Sequence, residues 1–84
     1  MSEMGRRVGA FDWSTTPLGS LPTWSQSLRA AVAICLHSPF QMAIYWGPDL
    51  NCIYNDAERD VLGKLHPVAL GQPAQELLRD SWPQ

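Results

Sequence analysis

Charge is scarce in this chain: six Lys and Arg and eight Asp and Glu among 84 residues, 17% in all, for a formal net charge of −2. Arg6-Arg7 is too short a basic run to form the concentrated face that nucleic-acid phosphates require, so nucleic acid is not an expected partner. Long apolar runs are missing too. The longest, around Ala30 to Leu36, falls far short of the roughly 20 residues a membrane span needs, and no membrane contact is expected. The start lacks a signal peptide's sustained apolar segment, because Val8 to Phe11 gives way at once to Asp12; a cytoplasmic location is expected.

Cysteine and histidine are equally sparse. Cys35 and Cys52 form no CxxC and each sits in an apolar pattern, where cysteine acts as a small buried hydrophobe; a redox, ligand-attachment or disulfide role is the lesser alternative. With His37 and His66 they make four singletons without a short-spaced pair, which is not a zinc motif. No serine has a recognisable base partner or a GxSxG setting, and no glycine cluster matches a phosphate-binding loop. Asp49, Asp56, Glu58 and Asp60 read as turn and helix-start residues rather than as a catalytic or metal-holding cluster. The chain is therefore not expected to be an enzyme, and it names no cofactor.

What is present is apolar: 45% hydrophobic residues and four tryptophans. A chain this short forms one domain at most and buries only about 60 to 65% of the surface its unfolded form exposes. Residues 1–22 read as an N-terminal arm, where Gly5, Gly9, Pro17, Gly19 and Pro22 leave no room for a useful helix or strand, while Phe11, Trp13 and Leu18 suggest that it is pinned onto something. Thr23 as N-cap with Gln26 three residues on predicts a helix to His37, whose face is Trp24, Leu28, Ala31, Val32, Cys35 and Leu36. The residue before Pro39 ends it.

From Gln41 the period falls to two. Met42, Ile44 and Trp46 share one face and Ala43 and Tyr45 the other; Gly47-Pro48-Asp49 reverses the chain, and the return strand puts Leu50, Cys52 and Tyr54 opposite Asn51 and Ile53. Asn55 and Glu58 predict a second capping box for a short helix in which Val61 and Leu62 turn inward and Gly63 makes the C-cap. After "KLHP" and the turn "VALG", a last helix begins near Pro73, with Leu77, Leu78 and Trp82 as a narrow stripe closed by Pro83. The fold class is α+β.

In that frame the run from Trp24 to Trp82 resembles the first half of a PAS sensory domain, of the subgroup at the start of bacterial sensor histidine kinases. The resemblance is carried by Trp24, Ser27 to Arg29, Trp46 to Asp49, Tyr54 to Ala57, Leu62-Gly63, His66-Pro67, Ala69 to Gly71 and the helix Glu76 to Trp82. Departures fall at Gln41, Glu58, Asp60 and Lys64-Leu65. A PAS domain has a five-stranded antiparallel sheet with helices on one face, so the resemblance implies that residues 23–84 hold its N-terminal half and that the last three strands lie elsewhere. It further implies a non-enzymatic signal-input or dimerisation segment of a two-component signalling protein. Ligand or partner binding would then be coupled to an output kinase or other signalling domain.

The candidate ligand-facing residues on the hairpin are Tyr45, Trp46 and Tyr54. The candidate homodimer surface is the helical stripe Trp24, Leu28, Ala31, Val32, Cys35 and Leu36, which must bury against its own sheet or against another copy. Two other readings stay open at this stage: a small self-associating structural fragment with no ligand, and a subunit of a small enzyme.

Overall fold

The computed structural model describes residues 2–78. Its elements run α1 (Glu3–Ala10), α2 (Gln26–His37), β1 (Ala43–Trp46), β2 (Asn51–Tyr54), α3 (Asp56–Leu62) and α4 (Ala74–Leu78), with 3-10 turns at Trp13–Thr15, Leu21–Thr23 and Gly63–Leu65. This is an α+β arrangement around a two-stranded antiparallel sheet. Trp82 and Pro83 lie outside the described residues.

The arm is not without regular structure, because α1 forms across Gly5 and Gly9. Three contacts offset the glycine penalty. The Ser2 hydroxyl accepts the Gly5 N–H at 2.9 Å, Glu3 pairs with Arg7 one turn on, and Met4 and Val8 are buried on the inner side. A fourth comes from far along the chain: Asp56 accepts the Met4 N–H at 2.8 Å and so satisfies an orphan donor of the first turn.

The rest of the arm is pinned, as its aromatics suggest. Trp13 is buried, donates from its indole to the Val8 carbonyl at 2.8 Å and meets Trp24 edge to face at 5.3 Å. Phe11 lies on Gly71, where an added Cβ would collide with its ring.

Helix α2 starts later than the sequence suggests. Its N-cap is Ser25, whose hydroxyl accepts the Leu28 N–H, while Thr23 closes a 3-10 turn by bonding the Ser20 carbonyl. Trp24 therefore precedes the helix. Pro22 accounts for the shift, since it favours the start of the tighter turn. Arg29 reaches back to the carbonyls of Leu21, Pro22 and Trp24 and locks that turn onto α2.

The hairpin keeps the expected alternation, with Ala43 opposite Tyr54, Ile44 opposite Ile53, Tyr45 opposite Cys52 and Trp46 opposite Asn51. Pro48 is second in a turn closed by the Leu50 N–H on the Gly47 carbonyl, as the sequence predicts. Leu50 is not part of the return strand. It has a left-handed φ of 53° and is half exposed, because the reversal takes four residues before extended pairing resumes at Asn51.

All four residues of β2 are buried, whereas β1 is only partly covered. The outer edge of β2 explains the difference. Cys52 donates to the Gln72 carbonyl at 2.9 Å and accepts from the Gly71 N–H at 2.8 Å, so residues 71–73 lie along it like a third strand. Asn51 adds a side-chain bond to the Gly71 carbonyl.

In α3 the Asn55 side chain caps the Glu58 N–H, but the box is not reciprocal, because the Asn55 N–H goes to Met42 instead. Leu62 packs on the core, whereas Val61 points outward and is 56% exposed, since consecutive helix residues are about 100° apart around the axis and only Leu62 falls on the inner side. Gly63 takes the positive φ expected after the last turn.

Candidate functional site

Two places in the molecule gather more polar contacts than the fold around them. One is Asn55, 1% exposed. Its Oδ1 accepts from the Met42 and Glu58 N–H groups, and its Nδ2 faces the carbonyls of Cys35, Ser38 and Phe40 at 3.0, 3.3 and 2.7 Å. A single amide thereby ties the end of α2, the loop after it, the start of β1 and the start of α3.

The other is a chain of groups running outward from the sheet. Tyr54 of β2 is fully buried; its hydroxyl meets His66 Nδ1 at 2.8 Å, and the two rings cross nearly edge to face, 5.7 Å apart. His66 Nε2 meets Glu3 Oε2 at 2.9 Å, Arg7 donates to the same oxygen at 2.7 Å, and Arg59 of α3 donates to Oε1. The Arg7, His66 and Arg59 hydrogen bonds, in that order, hold the Glu3 carboxyl down at about 2 against its usual 4.5. Glu3 is thus an ionised, acceptor-only group, and His66 Nε2 must carry the hydrogen between them. In the neutral ring, Nδ1 then accepts the Tyr54 hydroxyl proton. Burial pushes the Tyr54 phenol up to about 12, so it remains a neutral donor.

The residues singled out from the sequence do not converge. Tyr45, opposite Cys52, shares a sheet face with Tyr54 but is 43% exposed where Tyr54 is sealed inside, and Trp46 packs on the core from the opposite face. Among the described residues one open depression lies between the hairpin turn and α4 (Pro48 to Leu50 and Pro73 to Glu76) and another on α1 (Glu3, Arg6, Arg7, Ala10); neither is lined by any of the three.

The α2 stripe is turned onto the chain's own sheet: Trp24, Leu28, Val32 and Cys35 are buried, with Ala31 and Leu36 half-buried. Its role in this packing is intramolecular. Both cysteines are buried free thiols, pushed upward by desolvation, Cys52 to about 12, so neither supplies a thiolate at neutral pH. Among the described residues no three His, Cys, Asp or Glu side chains are placed to share a metal ion, and no helix is long and apolar enough to cross a membrane.

The sequence places His66 in the KLHP loop but gives no sign of its partner Glu3. No local signal could have found it, since Glu3 and His66 stand 63 positions apart. No family model, curated protein or solved structure matches this chain.

Proposed function

We propose that this chain is a non-enzymatic signal-input or dimerisation segment built on the N-terminal half of a PAS-type sheet, in a bacterial signalling protein such as a histidine kinase. The observation that carries the reading is the asymmetry of the hairpin's two edges. Because the backbone of Cys52 turns away from β1 to residues 71 and 72, the pair Tyr45 and Cys52 is a non-hydrogen-bonded one, and by alternation so is Ala43 and Tyr54. The N–H and C=O groups of Ala43 and Tyr45 therefore point outward from β1, and among the described residues they have no partner. Such an edge is a template for another strand. One edge closed and one open is what the early part of a larger antiparallel sheet needs, and the further strands would come from elsewhere in a longer protein or from a second copy.

Signalling on this reading consists of a shift in the packing of helices against the sheet when the open edge is filled or a ligand binds, passed on to an output domain. The experiment is solution mass by light scattering across a dilution series, with circular dichroism on the same samples. A dimer whose helix and strand signals fade together on dilution supports a sheet shared between copies. A folded monomer at every dilution removes dimerisation from the proposal.

A further inference from the structure

Glu3 is held in an unusual way for a surface carboxylate: Arg59 donates to one oxygen and His66 and Arg7 meet the other, so that two of the three partners stand on α3 and the loop after it rather than on α1. Arg59 sits on α3, whose start is fixed by Asn55, and His66 is held in place by the buried Tyr54 hydroxyl. Neither anchor depends on Glu3. Asp60 touches Arg59 from the side, at Nε and 3.4 Å, and leaves Nη1 directed at Glu3. The junction is also reachable, since Glu3 is 27% exposed and borders the open depression lined by Arg6, Arg7 and Ala10.

We propose that Arg59 and His66 form a carboxylate-binding site that Glu3 fills from within the chain, and that a small carboxylic acid competes for it. One donor per oxygen suits the planar two-oxygen head of a carboxylate. Displacing Glu3 removes the two contacts that tie α1 to Arg59 and His66 among the described residues, leaving α1 on its Asp56 bond and the burial of Met4 and Val8. Ligand binding would then loosen the N-terminal helix. This inference stands apart from the PAS reading and survives its failure.

The test is a titration of the 84-residue chain and its Glu3→Ala variant with sodium acetate, against sodium chloride at equal ionic strength and against inorganic phosphate. The His66 Nε2 resonance and the melting temperature are the readouts. In Glu3→Ala, acetate should shift His66 and raise the melting temperature, and adding Arg59→Ala or His66→Ala should abolish the response. The wild-type chain should need at least about tenfold more acetate, because a tethered competitor acts at an effective concentration in the millimolar range or above.

Acetate acting no differently from chloride overturns the site, and phosphate binding more tightly than acetate overturns its carboxylate assignment. Should Glu3→Ala not fold, Glu3→Gln takes its place. In the wild-type chain, a His66 resonance that is unmoved at any acetate concentration overturns the proposal on its own.

Discussion

Asn55 shows how much one side chain can hold. Its cap on Glu58 is local and readable from the sequence, but its three carbonyl partners and its bond from Met42 come from residues 13 to 20 positions away. Asn55→Ala leaves several buried backbone groups without partners, and is expected to destabilise the chain by about 3 kcal/mol, measured by urea unfolding. Asn55→Asp keeps the cap but points a carboxylate at three carbonyls, and should not recover the loss. Glu3 makes a prediction in pH. Its folded value of about 2 lies below its ordinary 4.5, so the stability it contributes is fully present above 4.5 and is lost as pH falls toward 2. Glu3→Gln should flatten that part of the stability-against-pH curve; an unchanged slope would remove Glu3 as its source. The Glu3 cluster was not legible from sequence, because the partners of Glu3 depend on how α1 meets α3 and the loop after it, a tertiary fact with no periodic signature.

At the scale of elements, the strongly patterned ones were readable and the glycine-bearing ones were not. The hairpin alternation, the Pro48 turn and the apolar face of α2 follow from local spacing, and the structure keeps them. Helix α1 is invisible to propensity because Gly5 and Gly9 argue against it, while part of what secures it, Asp56 and Arg59, lies on α3. Local spacing assigns Leu50 to a strand that begins only at Asn51, because the turn takes four residues, and gives Val61 to an inner helix face that only Leu62 reaches. The arm and the covered β2 edge meet at Gly71, with φ of 81° and the Phe11 ring against its Cα. Gly71→Ala combines a left-handed conformation with a clash, and should cost about 2 kcal/mol or more. Tryptophan fluorescence would show Trp13 moving toward water as the arm lifts. Stability and fluorescence like those of the wild-type chain would mean that Phe11 yields without consequence.

For the whole molecule, the question is how so short a chain supports a two-stranded sheet, which is marginal alone in water. Its answer is to wrap: α2 packs against both strands, the arm lays Phe11 and Trp13 over the structure, and residues 71–73 close one edge. Among the described residues the other edge stays open, and the PAS-type reading rests on that opening together with the sequence resemblance. Amide hydrogen exchange, followed residue by residue in a dilute sample, tests it most directly. The account predicts that the Ala43 and Tyr45 amides exchange rapidly, while those of Cys52 and Gly71, bonded across the covered edge, exchange slowly. Protection of Tyr45 equal to that of Cys52 under the same dilute conditions would contradict it, because the sheet would then already be closed on both sides.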